Sequence, residues 1–279
     1  MFADVTSANI VGYSNKSVNT GTLQVLKMLC ANFNEVGEEG IHLSEWKVTG
    51  YQESSYFQES GNAPVVKVKK LSTGGAITAT YDWIDTWDGS AWAGGVWVNE
   101  DTDKIIGTGE EADIQLAAGE SLWCTIPRAK RTGCTSINLQ TSGQVITKSQ
   151  AFTLNTGTLT VLKGVGNMMA VSVKMSEISV TGYQESSYFQ ESGNAPIVKL
   201  KKLSTGGAVT ATYDWIDTWN GSKWVGGYWK NEETDKAIGA DDEEDPVLEP
   251  GDALWTSTPR AKREGCTGLY LNFPNKVNL

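Results

Sequence analysis

The sequence is poor in the residues that build most metal and catalytic centres. It has a single histidine, four cysteines and seven prolines among 279 residues. No cysteine cluster has the spacing of zinc ligands, and one histidine cannot form a multi-histidine metal site. There is also no apolar run of about 18 residues, the length that a membrane-spanning helix needs. A metal centre built from cysteine and histidine and a membrane span are therefore not expected.

Positive charge is scarce as well. The chain has 23 lysines and arginines against 33 aspartates and glutamates, which gives a formal net charge of −10. Nucleic acids and anionic lipid surfaces bind basic patches, so neither is expected as a partner. The same charge makes copies of the chain repel each other unless specific contacts overcome the repulsion.

What the sequence does have is a long internal repeat. The segment VTGYQESSYFQESGNAP at Val48–Pro64 returns unchanged at Val180–Pro196, 132 positions later, and the match extends beyond it in both directions. A unit of about 135 residues is longer than a solenoid repeat and suits a globular domain. The sequence therefore predicts two similar domains, 1–139 and 140–279.

The repeated segment itself has two interpretations. Its final Gly-Asn-Ala-Pro is typical of a turn or bulge before a strand, and Tyr51, Tyr56 and Phe57 suit packing on a sheet, which favours a structural corner. The polar residues of the segment recur too, whereas other exposed segments have diverged between the units. A contact surface shared by both copies is the second interpretation.

Within each unit the pattern is that of β-strands. Apolar and basic residues alternate in APVVKVKKL (63–71), turn residues follow, and β-formers resume in AITATYDWIDTW (76–87), which predicts a β-hairpin. A second turn at Asp88–Ser90 leads into AWAGGVWVN. The best helical candidate, IHLSEW (41–46), is short. The sequence thus predicts an all-β protein of two tandem, homologous β-sandwich domains resembling jelly rolls.

Tyr81, Trp83, Asp85 and Trp87 fall at every second position of the predicted strand 76–87, and such positions share one face of a strand. These rings either form the domain core or form a platform on which sugar rings stack while carboxylates hold the hydroxyl groups. The candidate ligand-binding residues of the second interpretation are Trp83, Asp85, Trp87, Trp215, Asp217 and Trp219.

Little in the sequence indicates catalysis. His42 has no counterpart in the second unit, where Lys174 occupies its position, so a histidine-based triad is confined to one copy. The sequence STGGA (72–76) precedes a strand rather than a helix, which argues against a phosphate cradle. A pair of carboxylates, as in glycosidases, stays open on composition alone. We predict a non-catalytic protein without catalytic residues.

Each unit has an acidic and a basic loop. The acidic loops contain NEDTD (99–103), NEETD (231–235) and DDEED (241–245), and the basic ones contain PRAKR (127–131 and 259–263). Oxygen-rich loops suit calcium, which is therefore a candidate cofactor, although none has the EF-hand pattern. Complementary charges set the register between partners, so we predict head-to-tail docking of units within and between chains. The candidate assembly residues are Arg128, Lys130, Arg131, Arg260, Lys262, Arg263, Asp101, Asp103, Glu233 and Asp235.

The cysteines fit the repeat poorly. Cys134 and Cys266 are equivalent, whereas Cys30 and Cys124 have no counterpart in the second unit. A disulfide within one unit cannot therefore recur in the other. Either the cysteines are small buried hydrophobic residues, or Cys266 bonds another domain or another molecule.

Several short motifs resemble those of secreted bacterial β-proteins. The sequence ANIVGY at Ala8–Tyr13 is similar to their Asn-Ile-Val-Gly-Tyr opening strand, and LAAGESLW (116–123) and EPGDALW (249–255) resemble their Pro-Gly-x-x-Phe/Trp strand. The second unit departs from this pattern, with SGQVIT (142–147) in place of the opening strand. The resemblance implies an exported, non-catalytic β-domain of uncharacterised role. The start MFADV fits the end left by cleavage of a signal peptide that is not itself in this chain.

These observations predict an extracellular or cell-surface structural protein that assembles with itself, as a filament or surface-layer subunit. Carbohydrate binding by the aromatic faces is the alternative, with glycans as partners. Glycan binding requires exposed tryptophan rings in a groove, whereas assembly predicts buried rings and exposed, complementary edges.

Overall fold

The fold is all-β, as the sequence predicts. In the computed structural model, the regular structure of the described residues consists of β-strands and two 3₁₀ turns. The described residues are 11–18, 25–26, 41–50, 66–71, 77–87, 89–90, 92–116, 122–125, 137–144, 150–154, 161–167, 169, 171–182, 198–203, 209–222, 224–240, 243–250, 252–257, 269–274 and 276. No helix within these ranges has the length and apolar character needed to cross a membrane.

The strands fall into an N-terminal half (11–144) and a C-terminal half (150–276). The strands of the N-terminal half are β1 (Val11–Val18), β2 (Val25–Leu26), β3 (Ile41–His42), β4 (Lys47–Thr49), β5 (Val66–Leu71), β6 (Ile77–Trp87), β7 (Trp92–Asn99), β8 (Lys104–Ile105), β9 (Gln115–Leu116), β10 (Trp123–Thr125) and β11 (Ile137–Gln144). Those of the C-terminal half are β12 (Gln150–Leu154), β13 (Val161–Gly166), β14 (Val173–Lys174), β15 (Ser179–Thr181), β16 (Lys199–Leu203), β17 (Val209–Trp219), β18 (Trp224–Asn231), β19 (Val247–Leu248), β20 (Ala253–Ser257) and β21 (Leu269–Phe273).

The N-terminal half forms two main antiparallel sheets. One has the strand order β1-β11-β4, the other has the order β2-β10-β5-β6-β7-β8, and β3 pairs with β9 in a small third sheet. The predicted hairpin is confirmed, because β5 pairs with β6 from Val66 opposite Trp83 to Leu71 opposite Ile77. The second predicted turn is also confirmed by the pairing of β6 with β7.

The C-terminal half repeats these pairings. Its sheets have the orders β12-β21-β15, β13-β20-β16-β17-β18 and β14-β19. The registers agree position by position: Lys67 lies opposite Asp82 across β5 and β6, and Lys199 lies opposite Asp214 across β16 and β17. Among the described residues, every strand pairs within its own half. The sheet topology therefore follows the internal repeat of the sequence.

Each half has its own buried core, to which both main sheets contribute. In the N-terminal half, Val48 and Leu139 come from the three-stranded sheet, and Trp83 and Trp97 come from the six-stranded one. The two rings pack edge to face, with centroids 5.2 Å apart. A core enclosed between two sheets is the arrangement of a β-sandwich.

The sequence predicts a boundary between residues 139 and 140, and a strand of the N-terminal half covers this point. Strand β11 runs through that point to Gln144, which pairs with Val11 of β1. The first paired residue that the structure describes in the C-terminal half is Gln150. The division between the halves therefore lies after Gln144, because β11 is the central strand of a sheet of the N-terminal half.

Two local expectations also change. The sequence SGQVIT does not open the second unit, since its residues 142–144 belong to β11. Strand β1 pairs with β11, and β12 pairs with β21. Because β11 and β21 are equivalent strands of the two halves, β12 is the counterpart of β1. The helical candidate IHLSEW contains strand β3 and the 3₁₀ turn Leu43–Glu45, and its apolar residues Ile41, Leu43 and Trp46 are all buried.

Candidate functional site

The two halves contact each other through equivalent tryptophans. Trp123 lies in β10 and Trp255 in β20, at corresponding positions of the repeat. Their ring centroids are 5.3 Å apart and their planes meet at 51°, a separation typical of favourable aromatic pairs. A contact between equivalent residues is what an approximate two-fold axis produces, whereas a head-to-tail relation brings different surfaces together. The contact therefore does not support the predicted head-to-tail docking within the chain.

The alternation of strand β10 explains why Trp123 is available for this contact. Its neighbours Leu122 and Cys124 are buried in the core, so Trp123 lies on the opposite, outer face of the six-stranded sheet. Across the strands, Trp123 is opposite Lys69 of β5. Trp123 and Lys69 therefore share the outer face of the six-stranded sheet, the face on which the tryptophan contact lies.

A group of three charged residues occupies the same outer face. Lys67 Nζ lies 3.2 Å from Asp82 Oδ1 and 2.6 Å from Glu100 Oε1. The position of each group follows from register, because Lys67 and Asp82 are direct cross-strand partners and Glu100 follows the end of β7. We call these three residues the N-terminal triad.

The C-terminal half has an equivalent triad. Lys199 Nζ lies 3.0 Å from Asp214 Oδ1 and 3.0 Å from Glu232 Oε1. The sequence pattern did not reveal either triad, since nothing in the strand pattern distinguishes these lysines from their neighbours. The available signal was the predicted hairpin, in which a lysine and an aspartate recur in both units at the same separation.

Burial controls the electrostatics of the triads. The side chains of Asp82 and Asp214 are only 14% and 10% exposed. Burial raises the pKa of both carboxyl groups, and the paired lysine opposes this only in part. Burial acts against the charged form of Lys67 and Lys199, yet hydrogen bonds to their acidic partners raise the pKa of each amine overall. Each carboxylate therefore depends on its lysine for compensation of charge.

The acidic loop of the N-terminal half is an ordered turn around a buried asparagine. Asn99 Nδ2 donates to Glu111 Oε1 over 2.7 Å, and Asn99 Oδ1 accepts from the backbone N–H of Asp101 over 2.9 Å. Asp103 has a φ of 57°, in the left-handed region, which aspartate tolerates better than most residues. The side chains of Asp101 and Asp103, two of the predicted assembly residues, are exposed on this turn.

The same turn recurs around Asn231, whose side chain donates to Glu243 Oε1 over 2.7 Å. Glu233 and Asp235 are exposed there, but Asp235 Oδ1 already lies 2.5 Å from Lys230 Nζ of its own chain. The basic assembly candidates lie outside the described residues, namely Arg128, Lys130, Arg131, Arg260, Lys262 and Arg263.

The acidic turns use their oxygen atoms internally. Besides the contact with Asn99, Glu111 accepts a hydrogen bond from the hydroxyl of Thr102 over 3.0 Å. Across the described ranges, no group of three or more histidine, cysteine, aspartate or glutamate side chains is placed to hold a metal ion. Asp241 and Asp242 of the third acidic run lie outside those ranges.

Two tryptophans of the predicted sugar platform lie in the core. Trp83 and Trp215 are 2% and 3% exposed, and each packs edge to face against a second buried ring, Trp97 or Trp229. For these two residues the structure corrects the platform expectation, because a ring without an open face cannot stack on a sugar. Asp217 is partly buried, and the side chains outside the description are Asp85, Trp87 and Trp219.

Of the four cysteines, Cys124 lies within the described residues. It is a free, buried thiol, and burial raises its pKa. It therefore behaves as a small hydrophobic residue, which is one of the two predicted roles. Cys30, Cys134 and Cys266 lie outside the described residues, as do Tyr51–Pro64 of the repeated segment.

An exposed aliphatic side chain recurs in both halves. Ile77 begins β6 and is 56% exposed, and Val209 begins β17 at the equivalent position and is 53% exposed. Among the side chains that the structure describes, the other exposed large apolar residues are found in one half alone: Val247 is 48% exposed, and its counterpart is Gln115. Ile77 and Val209 thus form a repeated apolar feature separate from the tryptophan contact.

Comparison with known proteins finds no matching family model, no matching curated protein and no matching solved structure. The function must therefore be argued from the geometry of the chain itself.

Proposed function

We propose that this chain is a non-catalytic structural protein, located at the cell surface or outside the cell, that assembles through two homologous β-sandwich domains. The observation that carries the proposal is the contact between Trp123 and Trp255. In it, the outer face of one unit associates with the same face of another unit. Association between copies is therefore already a property of this repeat within a single chain.

The mode of assembly that we propose differs from the head-to-tail order expected from the charged loops. Trp123 and Trp255 contact each other within one chain. Contacts between chains therefore require another surface. Ile77 and Val209 provide one such surface on each half. We expect Ile77 of one chain to bind Ile77 of a second chain, and Val209 of the first chain to bind Val209 of a third. The two kinds of two-fold contact then alternate along the assembly, which remains open at both ends.

Charge and motif content support the remaining parts of the proposal. The net charge of −10 opposes association, so assembly should strengthen with salt as the repulsion between copies is screened. The resemblance to secreted bacterial β-proteins supports the location. The repeated strand registers of the two halves support their description as homologous domains.

Sedimentation velocity and negative-stain microscopy test the proposal directly. Wild-type protein should form species larger than one chain, and the double variant Ile77→Ser/Val209→Ser should sediment as a single chain. Either single variant should stop at a dimer, because one surface per chain remains. Val247→Ser is the matched control, since it removes an exposed aliphatic side chain that is not repeated.

Two results would contradict the proposal. The first is a wild-type protein that stays a single chain at high concentration in both low and high salt. The second is an equal effect of Val247→Ser and of the double variant. That result would mean that loss of any exposed aliphatic side chain weakens association, whether or not its position is repeated in the two halves.

A further inference from the structure

The two triads bring together the three groups needed to form an amide. Lys67 Nζ lies 3.2 Å from Asp82 Oδ1 and 3.3 Å from Asp82 Oδ2, so the amine is close to the carboxyl carbon between them. Glu100 Oε1 is 2.6 Å from the same nitrogen, within reach for transfer of a proton. The arrangement therefore combines a nucleophile, an electrophile and a group that exchanges protons.

We propose that Lys67 and Asp82 join covalently through an amide between their side chains, and that Lys199 and Asp214 do the same in the other half. Glu100 and Glu232 act as the proton carriers of the two reactions. The inference does not rest on the assembly proposed above, because each bond forms within one half of one chain.

The reaction needs no oxidant, reductant or external reagent. A proton passes from the lysine ammonium by way of Glu100 to the aspartate carboxylate, which leaves a neutral amine and a neutral carboxyl group. Nζ then attacks Cγ of Asp82, the C–N bond forms, and one oxygen of Asp82 departs as water with protons relayed by Glu100. One ammonium and one carboxylate become one amide and one water, and Glu100 ends as it began.

The surroundings limit water around the reacting groups and favour a neutral carboxyl group. The lysine and aspartate side chains of the two triads are between 10% and 21% exposed, which limits the access of the water that would reverse the reaction. Burial also raises the pKa of Asp82, which favours the protonated carboxyl. Burial opposes the charged form of Lys67, but its hydrogen bonds to Glu100 and Asp82 raise its pKa overall, so the ammonium must pass its proton to Glu100 before Nζ can attack. Strands β5 and β6 hold the reacting groups opposite each other, and such positioning makes an otherwise slow encounter intramolecular.

The two halves also differ around the triads but not within them. The residue opposite Asp82 on the next strand is Val98, whereas the residue opposite Asp214 is Lys230. All three groups are identical in the two halves, so each half presents the same reacting set.

The mass of the intact, denatured wild-type chain tests the proposal. It should be lighter than the sequence mass by two molecules of water. Proteolysis and tandem mass spectrometry should recover one peptide pair joined through Lys67 and Asp82 and another joined through Lys199 and Asp214. The peptides also separate these links from ring closure at Asp88–Gly89, which releases water without joining two segments.

Variants assign the role of the glutamates. Glu100→Gln should restore one water of mass, Glu232→Gln should restore the other, and the double variant should have the full sequence mass. Lys69→Gln is the matched control, because Lys69 lies on the same strand and face as Lys67 but outside the triad. This control should keep the wild-type mass.

A folded wild-type chain with the full sequence mass, or one without linked peptides, would overturn the proposal and leave the triads as ion pairs. Retention of both linked peptides in the Glu100→Gln/Glu232→Gln variant would overturn the role of the glutamates. Circular dichroism of each variant confirms that an unlinked chain is still folded.

Discussion

The indole N–H of Trp97 donates a hydrogen bond to the backbone carbonyl oxygen of Trp46 over 2.9 Å in the buried core. Trp97 belongs to the six-stranded sheet, and Trp46 immediately precedes β4 of the three-stranded sheet. The bond is repeated in the C-terminal half, where Trp229 donates to the carbonyl of Ile178 over 2.7 Å. One side-chain bond therefore ties the two sheets of each half together.

Trp97→Phe should lower the free energy of unfolding by about 1–3 kcal/mol, because the buried carbonyl of Trp46 loses its donor. Trp46→Phe is the control for loss of ring area: Trp46 Nε1 is buried and has no hydrogen-bond partner among the described atoms, so its removal should cost less. Urea denaturation of both variants measures the difference. Equal losses would show that ring area, rather than the hydrogen bond, determines stability here.

Trp83→Ala and Trp215→Ala separate a core role from a sugar-binding role. Each should lower the unfolding free energy by roughly 3–5 kcal/mol, the usual cost of emptying an aromatic core site. Denaturant titration and a glycan array, applied to the same variants, provide both readouts. Wild-type stability together with loss of a glycan signal would instead support the carbohydrate-binding alternative.

Asn99→Ala should destabilise the acidic turn, since Glu111 loses a donor and the backbone N–H of Asp101 loses its acceptor. The expected loss is about 1–3 kcal/mol of unfolding free energy. Asp101→Ala, which changes an exposed side chain of the same turn, should stay within about 0.5 kcal/mol of wild type. Thermal unfolding of both variants is the measurement, and matching losses would contradict a special role for the buried amide.

Alkaline pH should weaken the fold through two buried tyrosines. Burial, together with nearby acidic groups such as Glu111 and Glu243, raises the pKa of Tyr81 and Tyr213. The unfolded chain therefore loses these phenolic protons first, so their contribution is fully present below pH about 10 and is lost as pH rises through the higher folded pKa. Tyr81→Phe/Tyr213→Phe should flatten the decline of unfolding free energy above pH about 10. A decline as steep as that of wild type would assign it to other groups.

The sequence predicted the local elements better than their arrangement. The hairpin of β5 and β6 is encoded by alternation and by turn residues close in sequence, so pattern alone was enough to find it. The pairing of β1 with β11 joins distant segments, and the extension of β11 past residue 140 to Gln144 follows from that pairing rather than from a local pattern. Period two placed Tyr81 and Trp83 on one face, but only packing shows that this face points into the core.

The site was harder to predict because its groups come from several strands. Lys67 and Asp82 meet through register, Glu100 joins them from the end of β7, and each is an ordinary exposed-strand residue in isolation. The contact of Trp123 with Trp255 depends on how the two halves lie together, which repeat counting does not reveal. The charged loops led to the head-to-tail expectation, because complementary charge indicates that two units can dock but not which faces meet.

The meeting of Trp123 with Trp255 has a consequence for how this chain can change over evolutionary time. A dimer of identical subunits must carry every substitution on both sides of its two-fold axis, so an interface residue always meets its own replacement. When both sides belong to one polypeptide, each can vary alone. Covalent linkage thus leaves an approximately symmetric contact free to become asymmetric, one residue at a time.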